Sequence, residues 1–209
     1  MRALLIPALL MASGCGGNGG EKVQSASHPI PSDWRAVISV ADRDRLSKWR
    51  AAWMTGLDKA MAAGKATQVN ALGLLLKPDL ALDKPALPSG DYSCRVIKMG
   101  AQAPAMPDFV TYPPFTCRIT QDGALAHFAK IDGSQRPVGT IYADDSRRMI
   151  FLGSMMLGDE SRPLRYGRDT ERDMVGVVER VGPARWRIAF PYPRWESTID
   201  VLELVPKGM

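Results

Sequence analysis

From Pro88 to the C-terminus the sequence is a series of short β-like runs separated by turn residues. Asp122-Gly123 and Asp132-Gly133 are two-residue hairpin signals between such runs. Further runs cover Val138 to Ala143, Met149 to Met155, Met174 to Val181, Arg185 to Phe190 and Ile199 to Val205. Strands this short and evenly spaced predict an antiparallel meander of about seven or eight strands closing into a small barrel. There is no βαβ alternation and no internal repeat.

Upstream the period changes from two to between three and four. Leu46, Trp49, Trp53, Leu57, Ala60 and Met61 form one apolar stripe, with a capping-box-like start at Ser39 and Asp42 and a stop at Gly64. A second, shorter helix is expected around Thr67 to Leu76, ended by Pro78. The fold class is therefore α+β, a helical hairpin over residues 34–80 packed on a barrel over residues 88–206, in one domain spanning 34–209.

The first residues have another purpose. "MRALLIPALLMASGC" places Arg2, an apolar run and the small residues Ala12, Ser13 and Gly14 before Cys15. That is the order of an export signal, and its apolar run is shorter than the roughly 20 residues a spanning helix needs. Small residues directly before a cysteine resemble the bacterial lipobox, although Ala12 stands where leucine is usual. The resemblance implies cleavage of residues 1–14, acylation of Cys15 and, with Gly16 following, anchoring at the periplasmic side of the outer membrane. Residues 15–33 are rich in Gly, Ser and Pro and read as a flexible tether. His28 lies in it and is assigned no chemistry.

Export bears on the two remaining cysteines, because an oxidising compartment favours their pairing. If Cys94 faces Cys117 across an antiparallel pair, Val96 faces Phe115 and Tyr92 faces Ile119. All six then share an apolar face. A turn centred on Asp122-Gly123 adds Phe128 opposite Cys117. A disulfide here closes the chain from Cys94 to Cys117, worth about 3 kcal/mol on chain entropy. Two buried free thiols are the alternative.

No motif points to catalysis. Metal binding lacks ligands, since only His127 is available beside the cysteines and its spacing matches no common zinc pattern. No nucleophile elbow and no phosphate-binding glycine loop occurs outside the signal and tether. The net charge of +5 is spread among acids, without the basic stripe of a nucleic-acid binder. No cofactor is implied. Two stretches carry candidate binding residues. Ser134, Gln135 and Arg136 offer a small polar site at a barrel rim, or simply hold a turn. The connection Gly158 to Asp173 carries Arg165 and Arg168, either as a recognition loop or as an internally paired solvated segment.

Together the lipobox, "DRDRLSKWRAAW", "GDYSCRVIKMG", "FTCRIT", "KIDGSQRPVG", "RMIFLGSM" and "DVLELVP" resemble a domain-of-unknown-function family of exported bacterial proteins, over most of residues 34–206. That resemblance brings no activity and no site residues. In outline the barrel is also similar to small lipocalin, avidin and metalloprotease-inhibitor barrels, an analogy of architecture alone. The functional expectation is a lipid-anchored, non-catalytic binding module for a small ligand or an envelope protein. An envelope hydrolase using carboxylates and a purely structural lipoprotein are the alternatives.

Overall fold

The structure is a computed structural model and describes residues 30–208. The signal at 1–14, Cys15, His28 and the tether up to residue 29 lie outside the described residues.

A short 3-10 turn, Trp34–Ala36, leads into helices α1 (Val40–Ser47), α2 (Trp49–Ala62) and α3 (Ala66–Ala71), followed by a 3-10 turn at Gly73–Leu76. The Ser39 side chain caps α1 by accepting from the Asp42 N–H at 3.1 Å. The reciprocal half of the capping box is absent. Ser39 N–H donates instead to the Tyr166 hydroxyl at 3.0 Å, a residue far along the chain. The stripe read as one helix is two, because Lys48 leaves helical geometry (φ −101°, ψ 9°). The break aims α1 and α2 at different parts of the barrel while leaving Leu46 and Trp53 buried. Met61 is exposed rather than part of the buried stripe. Gly64, at φ +75°, ends α2, with the Lys65 N–H returning to the Ala60 carbonyl.

Nine strands follow: β1 (Gly90–Ala101), β2 (Phe109–Thr111), β3 (Phe115–Asp122), β4 (Leu125–Lys130), β5 (Gln135–Ala143), β6 (Arg148–Leu157), β7 (Asp173–Gly182), β8 (Arg185–Pro191) and β9 (Ser197–Pro206). β1 and β3 to β9 form an antiparallel barrel that closes through β1–β9 pairing. β2 is the extra strand, and it pairs with the far half of β1.

The expected face is right and the expected register is two residues off. Cys94 stands opposite Phe115, and Cys117 opposite Tyr92. Asp122 pairs with Leu125, so the turn is Gly123-Ala124 and Phe128 faces Ile119. A slip of two keeps every side chain on its face, which is why the interior was assigned correctly. Cys94 and Cys117 form a disulfide that crosses the ladder diagonally, with Cα atoms 5.8 Å apart. The Asp132-Gly133 turn is looser than a two-residue hairpin. β4–β5 pairing stops at Ala129 and Val138, next to Pro137, which has no N–H to donate.

One half of the barrel is filled. Phe151 lies edge-on to both Phe128 and Phe190, with centroids 5.8 and 5.5 Å away. The segment before β1 seals this end. Leu87 is buried in the barrel core, and the carbonyls of Pro85, Leu87 and Pro88 accept from Trp186, Gln121 and Tyr92. Outside, α2 covers β1, β8 and β9 through Trp53, Met99, Val201 and Ile199, and α1 covers β6 and β7. The cation of Arg187 lies over the Trp53 ring.

Candidate functional site

The other end of the barrel is open. There a cavity of about 200 Å3 is lined by apolar residues, among them Val96, Phe115, Pro137, Met155, Met174, Phe190 and Leu202. Charged and polar residues complete its wall: Lys98, Lys130, Ser134, Gln135, Glu196 and Asp200. These positions follow from alternation. Lys98 continues the inward series Tyr92, Cys94, Val96 on β1. Asp200 continues Leu204, Leu202 on β9, and Lys130 continues Ala126, Phe128 on β4. On each strand the inward series turns from apolar to charged at the same end of the barrel.

Lys98 and Asp200 are Cα partners across β1 and β9, and both are nearly buried. The Lys98 ammonium donates to Asp200 Oδ2 at 2.8 Å and pairs with Glu196 Oε2 at 3.0 Å. Asp200 also accepts from the Ser197 hydroxyl. Burial raises the Asp200 carboxyl above the usual carboxylate range, against the pull of Lys98. For Lys98, burial works against the charge, but the two carboxylates outweigh it and hold the ammonium above its ordinary value. Glu196 sits at φ +76° and Tyr192 at φ +45°, both in the left-handed region that non-glycine residues rarely adopt. Left-handed backbone at two positions of one rim loop is the kind of strain that concentrates at binding sites.

Lys130 is held differently. Its ammonium donates to the main-chain carbonyls of Asp132 (2.6 Å) and Gln135 (3.0 Å) and lies 3.5 Å from the Phe115 ring centroid. Burial pulls its amine down to about 8.

The proposed site residues divide. Ser134 and Gln135 line the cavity, and Gln135 Nε2 donates to Glu196 Oε1 at 3.3 Å. Arg136 does not join them. Its guanidinium ties the β6–β7 connection, donating to the Gly158 and Glu160 carbonyls at 2.8 Å. Arg165 and Arg168 are exposed, and their side chains make no ion pair or hydrogen bond among the described residues. The rest of that connection is anchored. Arg172 pairs with Glu160, and Glu171 pairs with Arg194 of the β8–β9 rim loop. The Tyr166 hydroxyl donates to the buried Asp42 at 2.5 Å. His127 points away from the interior, with Nδ1 3.3 Å from the Thr140 hydroxyl. Among the described residues no group of three His, Cys, Asp or Glu side chains is placed to hold a metal ion. No helix among them is long and apolar enough to cross a membrane.

A family model described as a domain of unknown function, DUF4893, matches residues 34–204, nearly the whole helical layer and barrel. The chain belongs to the DUF4893 family. No curated protein and no solved structure matches it. The DUF4893 match begins at Trp34, the first residue of the opening 3-10 turn, and ends at Leu204 in the closing strand β9. It therefore contains every residue of the barrel mouth.

Sequence reasoning missed Lys98, Lys130, Glu196 and Asp200. For three of them a signal was present, a charge falling in the inward register of an otherwise apolar series. Glu196 lies in a loop, where alternation gives no direction.

Proposed function

We propose that this protein is a non-catalytic binding module, tethered to a membrane by lipid at Cys15 and exported to the periplasm, and that its barrel mouth receives a small molecule. The observation that carries the binding role is the cavity itself. It is half-enclosed and mostly apolar, with a few converging polar groups, the composition of a small-molecule site. A barrel needing only stability would fill this end as it fills the other. Buried ion pairs such as Lys98–Asp200 add little net stability. Glu196 and Asp200 both sit on the Lys98 ammonium, an arrangement suited to holding charge in place rather than delivering a proton. The order of basic, apolar and small residues before Cys15 supports export and anchoring.

Two experiments test these parts separately. Thermal unfolding with a metabolite collection should reveal compounds that stabilise the wild type, since a ligand binding only the folded state raises its midpoint. Val96→Phe, which places a ring in the cavity, should abolish that response while keeping the disulfide and cooperative unfolding. A wild type indifferent to every compound, or a Val96→Phe variant that responds equally, contradicts the binding role. For the anchor, the wild type should enter the detergent phase on phase separation and Cys15→Ser the aqueous phase. A wild type in the aqueous phase contradicts it.

A further inference from the structure

The charges at the mouth are not evenly paired. One ammonium, Lys98, serves two carboxylates, Glu196 and Asp200, at 3.0 and 2.8 Å. That leaves one negative charge in excess on the β9 side. Lys130, on β4, is held only by main-chain carbonyls and the Phe115 face. The Asp132 carboxylate attracts it without forming an ion pair and is itself taken by the Thr116 N–H at 3.0 Å, while Lys98 and Arg136 repel it. One positive charge is therefore in excess on the β4 side of the same cavity. Lys130 and Asp200 are buried and Glu196 is partly so. Charges placed there without a full counter-ion are costly, and a molecule supplying both counter-ions relieves both costs together.

We propose, building on the binding role above, that the mouth takes a zwitterion with an apolar side chain, of the α-amino-acid type. Its carboxylate meets Lys130, its ammonium meets Glu196 and Asp200, and its side chain rests on Met155, Met174 and Phe190. Size agrees with this class. The cavity of about 200 Å3 falls below the roughly 300–1,000 Å3 that drug-sized ligands occupy. Binding is also linked to protons. A carboxylate beside Lys130 stabilises its charged form, so affinity weakens as pH rises past about 8, where the amine empties.

The test is calorimetric titration of the purified full-length protein in detergent with L-leucine, L-methionine and L-phenylalanine. Each is compared with partners lacking one charge; for leucine these are 4-methylpentanoate and 3-methylbutylamine. At least one amino acid should bind about tenfold or more tighter than both of its single-charge partners, as expected when a charge-assisted contact is lost. Lys130→Met should reduce the difference between leucine and 3-methylbutylamine to within about twofold. If that variant does not fold, wild-type affinity for leucine should still fall between pH 7 and 9 while that for 3-methylbutylamine does not. A single-charge partner binding as tightly as its amino acid overturns the zwitterion and leaves the binding role standing. If no amino acid binds, the zwitterion is overturned as well, and the compound collection and Val96→Phe decide the binding role independently.

Discussion

Arg187 and Glu179 face each other across β7 and β8 with no solvent exposure, joined at 2.5 Å beneath the helical layer. The guanidinium does more than neutralise one acid. It also donates to the carbonyls of Leu74, Leu75, Lys77 and Pro78, at the end of the 3-10 turn after α3. Glu179 receives a second arginine, Arg148, at 2.9 Å. This ion pair is the bolt between helices and barrel. Arg187→Met should cost about 3–5 kcal/mol, because it leaves the buried Glu179 with only the partly exposed Arg148 and takes the donor from four carbonyls. Adding Glu179→Leu should recover part of that loss. Urea unfolding of both variants measures it, and a double variant no better than the single contradicts the assignment.

The diagonal disulfide ties β1 to β3 inside the barrel. Cys94→Ala should lower stability by about 2–5 kcal/mol, the range for native disulfides in small secreted domains. The unreduced, denatured wild type should show no thiol at Cys94 or Cys117. Full labelling of both would contradict the bond.

Gly139 and Gly153 are Cα partners on β5 and β6, and the Phe151 ring lies across both. A Cβ on Gly153 would stand 2.4 Å from Phe151 Cζ and 2.3 Å from the Val138 carbonyl oxygen. One on Gly139 would stand 2.4 Å from the Leu152 carbonyl oxygen. Backbone cannot yield as a flexible side chain does. Gly153→Ala should therefore cost at least the roughly 1–3 kcal/mol of an overpacked core. A thermal midpoint equal to wild type would contradict this packing.

Lys130 gives the pH dependence a definite sign. Burial holds its amine at about 8 in the folded protein, against an ordinary 10.5. Between those values the unfolded chain carries a proton that the folded chain has released. Stability therefore rises with pH from about 8 to 10.5 on account of this residue. Tyr92, pushed up to about 12 by burial, acts in the opposite direction above pH 10. The difference between wild type and Lys130→Met isolates the lysine. Urea midpoints from pH 8 to 10 should climb more steeply in the wild type, and parallel curves would refute the shift.

Much of the barrel was legible because alternation and turn residues agree along the chain. The runs Met149 to Met155 and Arg185 to Phe190 lie within β6 and β8 almost end to end. β2 escaped notice because Phe109–Thr111 is only three residues long and is followed by Pro113 and Pro114. The break at Lys48 left no mark, since Leu46 and Trp53 reach the core on either side of it. The β3–β4 register error arose at one turn, where Gly123 takes the first of the two turn positions instead of the second, and the β1–β3 error from placing the bonded cysteines directly opposite rather than diagonally across the ladder. The bolt at Arg187 was hidden because a charged residue on a strand normally faces solvent, and only the helical layer makes that outer face an interior. The mouth was hidden for a related reason. Lys98 and Asp200 lie on different strands, far apart in sequence, and only ring closure makes them neighbours.

On the proposed reading, the open end of the barrel receives a small molecule. Met155 and Met174 line the cavity, whereas Met149 lies in the barrel core away from it. Methyl NMR of methionine-labelled protein, titrated with the small-molecule fraction of a bacterial envelope extract, reports on all three at once. The expected result is saturable shifts at Met155 and Met174, with Met149 unmoved and Val96→Phe unresponsive. Signals that stay in place at Met155 and Met174, or that move equally in Val96→Phe, would contradict a binding site at the barrel mouth.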